Sequence, residues 1–295
     1  MKLKVLPSTL QYSAKQLKYS NELFFSPVIK FLSEKIDITF DLYSEADVCF
    51  LGYFGSNAIV PHKDIYNSII SKFRKTKYIA YIFDMYEYDS YQDTIKILKM
   101  CDEVWVPSDS TRKMVKDICG LESKVVEIYA QFFETPNIKD ENYILNCSPR
   151  YEFDPYWNWA NKACNELDIP YKETDKRSVK RSDGTRLPCD VEISDYYKLI
   201  SECTFTIVSE SCTSTGGLGN LEALNLGKKC ISNKKNGLIN YCGDFADYFD
   251  TYEELKNLIK YNWENRNFRS VEDCKNHCYN FTPEKTAERF YKELL

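Results

Sequence analysis

Histidine is almost missing from this chain: two occur in 295 residues, His62 and His277. Acid–base chemistry built on imidazole is therefore not expected to dominate. The chain contains no Asp-x-Asp, no G-x-S-x-G, no G-x-x-x-x-G-K-[ST] and no G-x-G-x-x-G. Those absences speak against a nucleophile-elbow hydrolase, a P-loop nucleotidase and a dehydrogenase of the usual kind. No apolar run approaches the ~18 residues that a membrane-spanning helix needs. The opening MKLKVLPSTLQYS lacks the apolar core of an export signal, so a cytoplasmic protein is the expectation. Twelve cysteines form no Cys-x-x-Cys pair, and Cys49, Cys147, Cys203 and Cys230 sit in apolar strand contexts. They read as reduced core residues. His277 with Cys274 and Cys278 is the one metal-like grouping, and its spacing fits a helix face better than a ligand set. The net charge of −5 leaves polyanion binding to a local basic patch.

What is present is a chain that is 43% hydrophobic, enough for real cores, and its length suits two domains of about 140 residues. Short buried-type runs alternate with helical spacing throughout. Strands are predicted at 3–6, 36–42, 48–51, 78–83, 103–107 and 124–128, with helical patterns at 13–34, 64–73, 90–100 and 110–119. The polar stretch FFETPNIKDE, 132–141, reads as a linker. A second series follows, with strands at 143–147, 171–173, 204–208, 229–232 and 244–249. Its helices are expected at 154–167, 194–202, 220–226, 252–261, 271–279 and 284–295. Such alternation argues for parallel, doubly wound sheets in an α/β fold.

The stretch 203–233, CTFTIVSESCTSTGGLGNLEALNLGKKCISN, concentrates the chemistry. It reads as strand, glycine-rich loop, helix and strand, with Glu222 in the first turn of the helix and Gly227 ending it. Backbone amides unshielded by side chains at a helix N-terminus bind phosphates readily. Glu222 could there accept hydrogen bonds from sugar hydroxyls. On the residues alone the stretch reads more readily as a tight βα turn whose glycines permit close packing, with Glu222 favouring the helix dipole.

The same stretch resembles the donor-binding signature of GT-B glycosyltransferases, especially the retaining type of family 4. Gly217, Leu218, Leu221, Glu222, Ala223 and Gly227 fall in step with that pattern. A second resemblance lies in CDEVWVPSDSTRKMV, 101–115, similar to the last βα unit of the N-terminal domain of those enzymes, with Ser108 as helix N-cap. The resemblance implies two Rossmann-like domains facing a cleft: 1–135 on the acceptor side, 136–282 for the nucleotide-sugar donor, and a C-terminal helix, 283–295, packing back on the first domain. It implies that Glu222 holds the nucleotide ribose and that amides around Ser214, Thr215, Gly216, Gly217 and Leu218 face the diphosphate and sugar. The family's second glutamate, eight residues before the first, is Ser214 here, with Glu210 upstream as its stand-in. Arg150 matches a phosphate-facing arginine, while the family's lysine about five residues on is Pro155. Lys180 and Arg181, within the basic loop 176–186, would supply that charge or meet an anionic acceptor; alternatively the loop is simply solvated. Ile193 falls where the family contacts the nucleobase. Gly52, Gly55 and Asp84, at two predicted strand ends, fall on the acceptor side, with Asp84 a candidate base or polar contact and otherwise a surface acid.

The expected activity is transfer of a hexose or pentose from a UDP- or GDP-linked sugar to an acceptor hydroxyl, with retention. The missing Asp-x-Asp separates the chain from the metal-dependent glycosyltransferase fold, so neither metal nor cofactor is expected. The catalytic set so implied is Asp84, Arg150 and Glu222. A non-catalytic nucleotide-sugar or glycan-binding relative and a sugar-nucleotide epimerase are the alternatives. A glycan is the expected acceptor; a lipid-linked sugar, a protein or a modified nucleic-acid base would fit the same chemistry.

Overall fold

A computed structural model describes residues 1–7, 26–41, 43–52, 63–82, 92–130, 132, 139–147, 156, 158–173, 193–208 and 218–295. The chain divides into two compact units, 1–129 with 283–295, and 130–282.

The first unit holds a six-stranded sheet in the order β2-β1-β3-β4-β5-β6, every neighbouring pair parallel. The strands are β1 (Lys2–Pro7), β2 (Asp37–Thr39), β3 (Val48–Gly52), β4 (Lys77–Tyr81), β5 (Glu103–Val106) and β6 (Lys124–Val125). Its helices are α1 (Ser26–Ser33), α2 (Lys63–Lys72), α3 (Gln92–Leu98) and α4 (Asp109–Cys119). A parallel sheet must be covered on both faces, so its strands read as near-continuous apolar runs rather than alternating ones. Cys49, Leu51, Tyr78, Ala80, Val104 and Val106 pack against Tyr66 and Ile69 of α2, Ile97 and Leu98 of α3, and Val115 of α4. Ser108 caps α4, accepting the Thr111 amide at 3.2 Å.

The second unit repeats the plan with five parallel strands in the order β11-β10-β9-β7-β8. These are β7 (Ile144–Asn146), β8 (Tyr171–Glu173), β9 (Phe205–Val208), β10 (Cys230–Asn233) and β11 (Ala246–Phe249). Its helices are α5 (Trp159–Glu166), α6 (Ile193–Glu202), α7 (Leu218–Asn225), α8 (Leu238–Cys242), α9 (Tyr252–Asn265) and α10 (Val271–Cys278). One sheet face, with Ile144, Phe205, Ile207 and Ile231, packs on Ala160, Ala163 and Cys164 of α5 and on Leu255 and Ile259 of α9. On the other face Leu145 and Cys147 meet Ile200 of α6 and Ala223 of α7.

Residues 139–142 are stitched to the second sheet by the buried Lys228 and by the more exposed Asp140–Arg266 ion pair. Lys228 Nζ donates to the carbonyls of Cys203 at 2.6 Å and Lys139 at 3.0 Å. Asp140 accepts from Thr204 Oγ1 at 2.7 Å, the Asn142 amide at 2.9 Å and Arg266 at 2.6 Å. The last helix, α11 (Pro283–Leu294), belongs to the first unit. Its Phe290 ring lies 5.6 Å from Trp105 and 5.7 Å from both Phe50 and Tyr81, covering the face that α2, α3 and α4 leave bare. Each such aromatic pair adds about 0.5–1.5 kcal/mol beyond area burial.

Several elements differ from the sequence expectation. Of the helical run expected over 13–34, α1 covers Ser26–Ser33, and 13–25 lie outside the described residues. β6 stops at Val125 rather than 128. Within 154–167 the helix starts only at Trp159. α8 has no counterpart in the expectation, because five residues with Leu238, Tyr241 and Cys242 buried give too short a period to read. Cys274 and Cys278 are buried on α10, and His277 stacks on Phe245 with Nε2 2.6 Å from the Tyr241 carbonyl. No helix among the described residues is long and apolar enough to cross a membrane.

Candidate functional site

Both sheets have an order in which the first strand is flanked by the second and third, so each has one point where neighbouring strands send their connections in opposite directions. In open α/β sheets ligands bind at that switch point, outside the carboxyl ends of the strands. In the second unit it lies between β7 and β9. The described residues that converge there are Cys147, just past β7, Tyr196 of α6, and Gly219 and Glu222 of α7.

Helix α7 is enclosed almost all round: Gly219, Asn220, Leu221, Ala223 and Leu224 are buried. Cys230 Sγ donates to the Asn220 carbonyl at 3.0 Å, tying the helix to β10. Gly227 closes it at φ +75, the left-handed conformation that glycine adopts without strain. The single ionisable side chain on this helix, Glu222, is half-buried and bonded to the Tyr196 hydroxyl. That contact depends on Gly219. A Cβ built there would lie 2.0 Å from the Tyr196 hydroxyl oxygen and 3.2 Å from Cys147 Cβ. The phenol occupies the volume a side chain would need.

Burial pushes the Glu222 carboxyl up to about 8, with the Tyr196 hydrogen bond holding it down in part. Tyr196 itself is raised well above its usual value, by burial and then by the Glu222 charge, and stays a donor. Burial likewise keeps the Cys147 thiol protonated. Glu222 is thus a carboxyl surrounded by protein that still reaches solvent, poised between its two forms near neutrality. Strong desolvation of a carboxyl at the switch point marks a functional candidate.

The helix start corrects one expectation. Because α7 begins at Leu218 rather than at 220, Glu222 is its fifth residue and not in the first turn. The macrodipole falls off within that turn. Favouring the helix dipole therefore does not account for a carboxylate here.

Of the residues singled out in the sequence, Leu218 opens α7 and Ile193 opens α6, one turn before Tyr196. Gly52 ends β3, in register with Pro7 at the switch point of the first sheet. Gly55, Asp84, Arg150, Lys180, Arg181, Glu210, Ser214, Thr215, Gly216 and Gly217 lie outside the described residues. Tyr196 and Cys147 are additions to the expected site, and Gly219, expected in the glycine-rich loop, lies within α7. A further cation lies along the same sheet edge: past β10, Lys235 donates to the Tyr156 hydroxyl at 2.7 Å, while Lys234 pairs with Asp250 at 2.7 Å. Among the described residues no three His, Cys, Asp or Glu side chains come together to hold a metal.

No protein-family model matches the sequence, and no curated protein does. Solved structures do. A glycosyltransferase from Rickettsia africae superposes with a TM-score of 0.63 at 12% identity, covering 99% of this chain and 97% of that one. The lipopolysaccharide outer core galactosyltransferase WaaB gives 0.65 at 10% identity, covering 100% and 99%. The chain has the GT-B glycosyltransferase fold. A third GT-B neighbour, Anabaena HepE in complex with UDP-glucose, gives 0.63 at 13% identity, covering 100% and 99%. The coverage means that both units, and not one Rossmann-like half, follow the GT-B plan.

Proposed function

We propose that this protein is a glycosyltransferase that takes a sugar from a nucleoside-diphosphate sugar, with Glu222 holding donor hydroxyls. The observation that carries the reading is a desolvated carboxyl at the switch point of the second sheet of a GT-B fold. A carboxylate drawn out of bulk water is a strong acceptor for ribose hydroxyls, because hydrogen bonds to a charged group are about twice as strong as neutral ones. The N-terminus of α7 at the carboxyl edge of β9 supplies amides suited to a diphosphate. The HepE structures with UDP-glucose and with UDP support a uridine nucleotide as the first donor to try.

In the reaction the acceptor oxygen bonds to the anomeric carbon as the bond from that carbon to the diphosphate oxygen breaks. The electron pair leaves with the phosphate, which takes the acceptor's proton in a front-side, retaining displacement. The developing phosphate charge then falls to cations and helix N-termini. Arg150 is one such cation. Lys235 is a second: its partner Tyr156 adjoins Pro155, where the resemblance expects a lysine.

The test is thermal denaturation of wild type and Glu222→Ala with UDP, GDP, ADP, CMP and their sugars. A ligand at a hundred times its dissociation constant adds about 2.7 kcal/mol to the folded state. Stabilisation by one diphosphate, lost in the variant, supports the reading; no stabilisation by any refutes it. Binding without turnover points to a non-catalytic relative.

A further inference from the structure

We propose that Tyr196 is the positioning residue of this site, its hydroxyl fixing the Glu222 carboxylate and tying nucleotide binding to the release of one proton. The inference rests on the donor-binding role of Glu222 given above, and adds a residue and a proton linkage to it.

Three observations converge on Tyr196. Helix α7 has no side chain at Gly219, and the vacated volume is filled by the Tyr196 hydroxyl, 2.0 Å from where a Cβ would stand. That hydroxyl is bonded to Glu222 on the next turn of the same helix. The ring is held in turn: it lies edge-on to Tyr197 at 5.4 Å and 67°, and packs on the cluster containing Tyr143, Leu145, Cys147 and Ile200. A stiff aromatic lever between α6 and α7 therefore sets where the carboxylate points.

The linkage follows from what faces the carboxyl. From α6 comes the Tyr196 phenol, with Tyr197 behind it; from the end of β7 comes the Cys147 thiol. Both Tyr196 and Cys147 are kept neutral by burial, so neither contributes a cation. The phenol is a pure donor here, and donation to a carboxylate favours the ionised form. With burial raising the carboxyl to about 8 despite that bond, most of the protein at pH 7 holds a proton that an incoming pair of hydroxyls displaces. Affinity for the nucleotide should rise with pH, approaching tenfold per pH unit below the ionisation. Removing the Tyr196 hydroxyl should move the ionisation upward and weaken binding at fixed pH.

Two measurements on wild type, Tyr196→Phe, Gly219→Ala and Glu222→Gln test this. In the first, urea denaturation from pH 5 to 9 follows Glu222 without any ligand. A raised carboxyl makes the folded state bind more protons than the unfolded one, so stability falls as pH rises toward the folded value and then levels. The fall should extend to higher pH in Tyr196→Phe and in Gly219→Ala, which displaces the hydroxyl without deleting it, and should vanish in Glu222→Gln. In the second, calorimetric titration of UDP in two buffers of different ionisation heat counts protons. Wild type should release protons on binding at pH 7, Tyr196→Phe should bind several-fold more weakly, and Glu222→Gln should release none. Superimposable pH profiles for Tyr196→Phe and wild type would overturn the proposal even if UDP binds. Failure of every nucleotide to bind wild type would overturn the donor reading, and the denaturation profiles would still decide whether Tyr196 governs Glu222.

Discussion

Replacing Gly219 by alanine should destabilise the protein, although the same change elsewhere in a helix stabilises it. Alanine is preferred over glycine in a helix interior by up to ~1 kcal/mol, and by less this close to the N-terminus. Against that gain stands a contact of 2.0 Å with the Tyr196 hydroxyl oxygen, about 1.5 Å short of where such atoms rest. A phenol cannot yield at its tip alone; the ring must swing, and it is wedged against Tyr197 and the cluster around Ile200. Overpacking of this kind costs about 1–3 kcal/mol, and the hydrogen bond to Glu222 goes with it, about another 1–2 kcal/mol. The net loss should be about 2–4 kcal/mol. The decisive form is a double-mutant cycle with Tyr196→Phe. Without the hydroxyl, the new methyl meets Tyr196 Cζ at 3.3 Å and Cys147 Cβ at 3.2 Å, shortfalls that a few tenths of an ångström relieve. Gly219→Ala should then cost under ~1 kcal/mol, leaving a coupling of about 2 kcal/mol, within the range of directly interacting pairs. Urea denaturation of the four proteins at pH 7 gives the coupling. Additivity within ~0.5 kcal/mol would refute the steric reasoning.

Other expectations follow from single contacts. Phe290→Ala empties the space shared by Phe50, Tyr81 and Trp105 and should cost about 3–5 kcal/mol, read by Trp fluorescence during denaturation. Gly227→Ala forces a Cβ to 2.7 Å from Val271 Cγ2 at a positive φ of 75; a loss of about 1–3 kcal/mol is expected, and an unchanged midpoint would show that α7 and α10 part easily. Burial alone would raise the Asp140 carboxyl, but Thr204, the Asn142 amide and Arg266 hold it below its usual value. Its contribution is therefore present above pH 3.8 and lost as pH falls through the lower folded value, so Asp140→Asn should destabilise at pH 7 and by progressively less as pH falls below 3.8 in the same denaturation assay.

How much of this could be read from the chain depends on distance along it. Runs such as Phe205–Val208 and Cys230–Asn233, buried at every residue, announce a sheet covered on both faces. Ser108 and Gly227 are local signals with local causes, a cap and a left-handed turn, and both are where the sequence places them. Glu222 was legible as a candidate through its pattern of neighbours. Its environment was not. Helix α7 is buried on nearly every side, so it carries almost no amphipathic period to mark its first residue, and Gly219 reads as part of a loop rather than as a gap in a helix. The partner that fills the gap, Tyr196, lies on another helix, and Cys147 on another strand.

That difference bears on how the glutamate itself is understood. Placed in the first turn, Glu222 would be an ordinary dipole-favoured acid whose ionised form the fold welcomes. Placed on the second turn and largely surrounded by protein, it is a group whose charge the fold opposes, with one phenol arranged in its favour. Replacing it by an isosteric amide should therefore stabilise the free protein above neutral pH, where the wild-type carboxyl must ionise against its surroundings. A residue that costs stability when charged, in a niche kept open by a missing side chain, is what selection for ligand binding produces and selection for stability alone would remove. If Glu222→Gln instead lowered stability at pH 8.5 in urea denaturation, the carboxylate would have a structural duty, and the donor site would have to be sought elsewhere along the β7–β9 edge.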